Sequence, residues 1–288
     1  DISAPSRNFA TKGGQPYASA GLTDTVAVNI AGHVNDQGKG WGRNITTGAD
    51  TFKSQSYGIR AKALIDASDV DQFLLSYSYD NVYTNQGIAL RSAPNTLSAL
   101  GYSPDRAGAG FYDGTANADA QYHNYMHSGS LRAQHDFENA RIVSITAFNH
   151  FHTRAEIDTD TTPTNLVRAN YTQQEKTFTQ ELQLLSNESS KIDWIIGGFY
   201  LLDKSNFLGD FTGAAFGANH QFLTAVMNTE SFSGFAQAGM EILPRTRLTI
   251  GVRYTKDMRD YFGTVLLAPT RTSASVRLGN CLARLRRS

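Results

Sequence analysis

The sequence holds a single cysteine among 288 residues, Cys281, which excludes an internal disulfide framework and a cysteine-based zinc knot. Long apolar runs are missing as well. The longest, residues 194–202, has nine residues. A helical membrane span needs roughly 18–20, whereas a tilted barrel strand needs roughly 9–11. Neither sign of charge is in excess: 26 basic residues balance 26 acidic ones, which removes the electrostatic case for a nucleic-acid partner. Asp1 opens directly into polar sequence, without the basic region and apolar core of a secretory signal. We therefore expect a chain whose signal has been removed or which begins inside a larger protein.

What is present points to β-structure. Aromatic residues make up 11% of the chain, with 13 Tyr and 16 Phe, and such side chains suit pleated surfaces. Apolar residues recur with period two, as they must where a strand sends successive side chains to opposite faces. From Phe73 to Tyr83 the odd positions are Phe73, Leu75, Tyr77, Tyr79, Asn81 and Tyr83, with Ser76, Ser78 and Asp80 between them. Leu248, Ile250, Val252 and Tyr254 oppose Thr249, Gly251 and Arg253 in the same way. Val26, Val28 and Ile30 oppose Thr25 and Asn29, and Tyr57, Ile59, Ala61 and Ala63 oppose Ser56, Arg60 and Lys62. Around residues 192–202 both faces are apolar, and Gly197-Gly198 there suggests a bulge or close packing.

About nine strands are expected, near 24–34, 53–65, 71–84, 125–136, 140–156, 173–186, 192–206, 228–242 and 247–262. The joints at 66–70, 137–139, 187–191 and 243–246 are tight. Those at 35–52, 85–124, 157–172 and 207–227 are long and rich in Gly, Asn, Asp and Thr. A soluble β-sandwich would also alternate. Strands of 11–17 residues against a usual 5–6, with short and long connections in turn, favour an antiparallel transmembrane β-barrel, apolar toward lipid and polar toward a watery lumen.

Several stretches resemble one family, the TonB-dependent receptors of Gram-negative outer membranes. LTDTVAVNIAGHVNDQGKG (22–40) and SQSYGIRAKALI (54–65) resemble its early barrel hairpin. TFTQELQLLS (177–186) followed by WIIGGFYLLDKS (194–205) resembles a mid-barrel hairpin, and LTIGVRYTKDMRDY (248–261) the next rising strand. The resemblance implies a barrel of about 22 strands around a plug, active uptake of a scarce nutrient, commonly a ferric siderophore, and no catalysis. It implies as partners the outer-membrane lipid, a small-molecule ligand and a TonB energy-transducing complex that acts through the plug. Receptors for carbohydrate, cobalamin or aromatic compounds belong to the same reading. The sequence accordingly divides into a poorly defined segment 1–21, a partial, open barrel 22–262 and an atypical tail 263–288. It reads as an N-terminal half-barrel fragment, since it has no room for a plug before Leu22, and VRLGNCLARLRRS (276–288) lacks alternation and a terminal aromatic.

No residue is assigned a catalytic, cofactor or metal role. His150 and His152 stand two apart on an expected strand, as a metal pair could, but no third ligand has diagnostic spacing. We place them with Arg154 on the wet lumen face. Ser144 with those histidines could supply a nucleophile and base for an outer-membrane hydrolase, although no nucleophile elbow is present. Gly108-Ala109-Gly110 lacks the lysine of a phosphate loop. Arg60, Lys62, Arg132, Glu181, Arg253, Asp257 and Arg259 are expected to face inward, solvated and joined in cross-strand ion pairs. The loop 85–124 carries Arg91, Tyr102, Arg106, Phe111, Tyr112 and Tyr122, which suit an anionic or aromatic ligand. A soluble carbohydrate-binding sandwich remains the alternative of a different class.

Overall fold

A computed structural model describes residues 2–3, 6–86, 102–103, 108–187 and 191–269. Ten long strands follow one another: β1 (Thr11–Thr23), β2 (Val26–Gln37), β3 (Ser54–Asp66), β4 (Asp71–Thr84), β5 (Gln121–Asp136), β6 (Ala140–Asp158), β7 (Arg168–Ser186), β8 (Ile192–Thr212), β9 (Asn219–Leu243) and β10 (Thr246–Pro269). Each is antiparallel to the next in chain order, within one sheet whose first and last long strands stay apart. This is an open piece of a barrel. Ile2–Ser3 and Ser6–Arg7 add short pairings beside β1, and Gly42–Arg43 with Asp50–Thr51 forms a separate ribbon.

The alternation read from the sequence holds along the register. One row of partners, Asn29–Lys62–Ser76–Ser130–Ala147–Thr179–Leu201–Ser231–Asp257, crosses nine strands and is mostly polar. The neighbouring row, Ile30–Ala61–Tyr77–Gly129–Phe148–Phe178–Leu202, points the other way and is mostly apolar. Val26, Ile30, Tyr57, Ile59, Phe73, Leu75, Leu248 and Ile250 share this apolar face, since a one-residue slip anywhere would invert them. Ile30, Ile59, Leu75 and Ile250 are exposed. Buried apolar side chains are few, among them Val143, Ala155 and Ala169, so the sheet is held by its ladders and by what covers its faces rather than by a central core.

The strand Thr11–Thr23 has no counterpart in the sequence reading, because Gly13, Gly14 and Pro16 break its periodicity. The expected long loop 207–227 shrinks to residues 213–218, since β8 and β9 run on to Thr212 and from Asn219. Phe207, Leu208 and Phe211 carry apolar groups on both faces there. Here backbone pairing persists without alternation, and the periodicity signal disappears. Gly197-Gly198 marks no bulge, for the β8 register is continuous. A Cβ at Gly197 would lie 2.3 Å from the Phe235 ring, so this glycine makes room for a cross-strand aromatic.

Antiparallel order sends every second connection to the same rim. Asp136 N donates to Val70 O at 2.8 Å, and Asn187 Nδ2 to Phe137 O at 3.2 Å and Glu138 O at 2.6 Å, which joins the short turns at one end. The long connections meet at the other.

Candidate functional site

The long-loop rim is built around polar groups rather than apolar ones. Residues 38–53 and 108–120 interlock as a parallel bridge, with Ile45 N donating to Gly114 O at 2.9 Å and Gly114 N to Arg43 O at 3.0 Å. Arg43 N also donates to Asp113 Oδ1 at 2.9 Å, and Thr46 Oγ1 to Thr115 O at 2.9 Å. Asn44, 3% exposed, donates to Ala116 O and Asp119 Oδ1 at 3.0 and 3.1 Å. The third loop, 159–167, is tied in through Thr115 Oγ1, which donates to Thr161 O at 2.8 Å. Asp158, at the end of β6, accepts from Asn117 N at 2.9 Å and Thr161 N at 3.0 Å. A satisfied buried network of this kind rigidifies the segments that it joins. Burial, and then the neighbouring Asp160, push the Asp158 carboxyl above the usual carboxylate range, against the N–H bonds that it accepts.

On this platform sits an aromatic cluster. Trp41 stacks on Phe52, with centroids 6.0 Å apart and planes 11° apart, and Tyr112 meets both rings edge-on at 6.4 and 6.0 Å. Phe9 reaches Trp41 at 6.2 Å, and Phe111 is edge-on to Tyr112 at 4.9 Å. Phe111 is 78% exposed, and Trp41 and Tyr112 about half. Phe52 has φ 57°, a left-handed conformation that is rare for an aromatic residue. Such strain, about 1–3 kcal/mol, persists where the surroundings over-determine it. Here Gln37 Nε2 donates to Phe52 O at 2.8 Å, while Asn85 holds both flanks through Lys53 N at 2.6 Å and Asp50 O at 2.9 Å. Gly42 is equally constrained: a Cβ there would lie 2.0 Å from Tyr112 O.

Of the six loop residues singled out from the sequence, Phe111 and Tyr112 join this cluster. Tyr122 lies instead on β5 on the polar face, edge-on to Tyr171 at 6.2 Å. Tyr102 is half-buried, and Arg91 and Arg106 lie outside the described residues, as does the 276–288 tail. Trp41, Phe52 and Phe9 were missed. A tryptophan set among Gly38, Gly40 and Gly42 was the available signal, because a loop has no core in which to bury it.

The register corrects the placement of His150, His152 and Arg154. They share the face of Phe148, not the lumen face, which β6 fills with Val143, Phe151, Thr153 and Ala155. Polarity alone suggested water on both sides, but the border of an apolar band is itself polar and aromatic. His127 stacks near His150 at 6.3 Å, Tyr125 on His152 at 4.7 Å, and Tyr83 on His123 at 3.9 Å, while Tyr77 Oη bonds His127 Nδ1 at 2.8 Å. Among the described residues no grouping of three or more His, Cys, Asp or Glu is arranged to hold a metal. Ser144 is about 20 Å along β6 from His150 and bonds Gln180 Nε2 at 2.9 Å, so it forms no nucleophile–base pair with those histidines.

Arg60, Lys62, Arg132, Glu181, Arg253, Asp257 and Arg259 do share the polar face. Among the described residues none forms an ion pair. Neutral partners serve instead: Arg132 Nη2 donates to Gln134 Oε1 at 2.7 Å, Gln183 Nε2 to Glu181 Oε1 at 2.5 Å, and Arg253 Nη2 to Ser233 Oγ at 2.7 Å. Lone charges on successive strands suit a wet lumen better than a ladder of pairs.

No protein-family model and no curated protein matches the sequence. Solved structures do. The chain resembles the ferric yersiniabactin uptake receptor FyuA of Yersinia pestis, with a TM-score of 0.70 and 14% identity over 91% of this chain and 40% of that one. It also resembles the ferripyoverdine receptor of the Pseudomonas aeruginosa outer membrane, with a TM-score of 0.64 and 10% identity over 93% and 38% of the two chains. For the siderophore receptor PiuA of Acinetobacter baumannii the TM-score is 0.52 and the identity 10%, over 93% and 46%. The chain therefore has the fold of the TonB-dependent siderophore-receptor barrels, and it spans less than half the length of each of these three.

Proposed function

We propose that this chain is part of the barrel of an outer-membrane, TonB-dependent receptor that takes up a ferric siderophore. The observation that carries the reading is the ring cluster of Trp41, Phe52, Phe111 and Tyr112, exposed at all but Phe52 and held on interlocked loops at one rim of a partial barrel. Flat rings stack on the aromatic or conjugated groups of a chelator, and a rigid platform lowers the entropy lost on binding. The lone cations of the polar face, such as Lys62 and Arg253, would draw an anionic complex inward. In this reading no bond is made or broken, and a TonB complex acts through a plug, so the site needs no nucleophile or base.

The same rings favour one further reading, uptake of a carbohydrate, because the face of Trp41 also suits a sugar ring. The test uses the whole receptor that carries this segment, expressed in a strain lacking other iron receptors. Growth and uptake are followed with ferric catecholate, hydroxamate and phenolate chelators and with oligosaccharides. Trp41→Ala should weaken binding of the true ligand by about 1–3 kcal/mol, the scale of an aromatic anchor, with the receptor still present in the outer membrane. Uptake of an oligosaccharide alone would move the assignment to carbohydrate. Absence from the outer membrane, or unchanged uptake in Trp41→Ala and Tyr112→Ala, would overturn the reading.

A further inference from the structure

On the polar face, just inside the long-loop rim, four rings close over small residues. Tyr122 on β5 and Tyr171 on β7 flank Ala155 on β6 and meet edge-on at 6.2 Å, which leaves Ala155 1% exposed. Tyr171 in turn faces Gly209 on β8. A Cβ at Gly209 would lie 3.0 Å from the Phe211 ring and 3.2 Å from the Phe207 ring, so both rings fold over this glycine. Phe207 lies 5.6 Å from Tyr171, with planes 31° apart. The result is an aromatic patch on the lumen side of the sheet, built from none of the rings of the Trp41 platform.

One charge stands at the lower edge of that patch. Glu175 on β7 lies on the same face, two rows below Tyr171, directly opposite Phe151 on β6 and diagonal to Phe207 on β8. It is half-buried, and among the described residues it forms neither an ion pair nor a side-chain hydrogen bond. The neighbouring carboxylates do have partners. Asp203 accepts from Thr177 Oγ1 at 2.7 Å, and Asp80, in the row of Glu175, lies 3.9 Å from His33. Among the described residues no lysine or arginine stands in the row of Glu175 or in the three rows above it. The cations begin one row lower, about 7 Å along the strand, with Arg60 and Arg259. A half-buried carboxylate opposite a phenyl ring has given up water without gaining a counter-charge, which costs energy until a cation arrives.

Resting on the outer-membrane reading above, we propose that this patch is a second ligand site that takes an organic cation, an ammonium or guanidinium arm of the transported molecule. The arm pairs with Glu175, and its hydrocarbon lies against Tyr171 and Phe207. Rings beside a carboxylate suit such a group, because π faces and carboxylate both attract positive charge. A strongly hydrated inorganic cation has no use for the rings. The same molecule can keep an anionic chelate centre, for which Arg60 and Arg259 lie one row below.

The test takes the whole receptor that carries this segment, extracted from outer membranes in a mild detergent. Fluorine NMR follows binding of para-fluorobenzylammonium and of the neutral para-fluorobenzyl alcohol. Wild type should bind the ammonium about tenfold more tightly than the alcohol. Glu175→Gln should abolish that preference and Glu175→Asp should keep part of it. Phe207→Ala should weaken both probes alike, and Glu181→Gln, a carboxylate elsewhere on the same face, should bind as wild type. In uptake, acetylating the amine of the transported chelate should raise its half-saturating concentration about tenfold in wild type and not in Glu175→Gln. Equal binding of the two probes by wild type, a preference that survives in Glu175→Gln, equal loss in Glu181→Gln, or a transported ligand without a basic group would overturn the cation site while leaving the barrel assignment intact. A receptor absent from the outer membrane would defeat the barrel assignment itself.

Discussion

The two rims of the sheet hold their polar groups in opposite ways. At the short-turn rim the ionic contacts are half-exposed. His135 Nδ1 and Asp71 Oδ1 are 2.7 Å apart, and Arg141 pairs with Asp136. Hydrogen bonds from His135 and Ser68 hold the Asp71 carboxyl below the usual range, and Arg141 does the same for Asp136. At the long-loop rim Thr115, Thr162, Asn44 and Asp158 are all buried, and Asp158 is shifted upward by that burial. One rim needs little more than closure of hairpins. The other fixes three loops from separate strand pairs in one arrangement, as a binding surface requires.

The largest contrast should come from glycine. At the long-loop rim, Gly42→Ala puts a Cβ 2.0 Å from Tyr112 O and 2.5 Å from its carbonyl carbon. Backbone cannot rotate away, so the loops must part, at about 3 kcal/mol or more. Near the short turns, Gly239→Ala meets only the ends of Arg247 and Thr249, at 3.0 and 3.1 Å, and these can shift. Hydrogen exchange should show lost protection over 41–51 and 108–119 in the first variant and no change in the second. Equal effects would show that the outer loops are not interlocked.

Next in size is Asp158→Ala, which removes the carboxylate that accepts from the half-buried Asn117 N and the buried Thr161 N. An orphaned buried group costs about 1–3 kcal/mol, so the loops should open by about 2–4 kcal/mol while the β6–β7 ladder stays protected. Chemical labelling of Trp41 and Tyr112 before and after substitution checks this, and unchanged labelling would mean that Asp158 does not hold the platform.

Much of the sheet was legible because an apolar face and a polar face impose a period of two, as in Phe73 to Tyr83. The fold class, the common face of Val26 to Ile250 and the alternating connections all follow from that rule. It failed where the constraint lapses: in Gly- and Pro-bearing Thr11–Thr23, and along β8 and β9 beyond Asn206. It also misplaced His150 and His152, since polarity says nothing about which side of a strand borders a membrane surface. The aromatic platform was half legible. Phe111 and Tyr112 stand in a long loop, but nothing local links them to Trp41, whose partners are fixed by hydrogen bonds about 70 residues away in sequence.

The rims should also part company with pH. Asp158 has its pKa raised on folding, so its stabilising term is fully present below the ordinary carboxylate value, about pH 4, and is lost as pH rises through its folded value. Asp71 and Asp136 have theirs lowered, so their term is present above about pH 4 and lost as pH falls through their folded values. Acidification from pH 7 toward 4 should therefore tighten 108–119 slightly, and going below 4 should loosen 67–70 and 137–139. Exchange rates corrected for intrinsic chemistry report both, and loosening of both rims together would contradict the upward shift at Asp158.

The smallest effect is expected from Arg141→Gln. The guanidinium donates to both carboxylate oxygens of Asp136 through Nε and Nη2, the latter at 3.3 Å, yet its side chain is 39% exposed. Water and salt screen such a pair, and exposed ion pairs contribute about 0–1 kcal/mol. Glutamine keeps one donor and loses the charge, and Gln134 Nε2 still donates to Asp136 Oδ2 at 3.1 Å. The backbone bond from Phe137 N to Ala140 O at 2.8 Å already closes the turn. Protection of 137–139 should fall by less than about 1 kcal/mol, and less again in high salt, with no change at the long-loop rim. A loss of several kcal/mol would mean that the short-turn rim, too, depends on a buried charge, and the contrast between the rims would collapse.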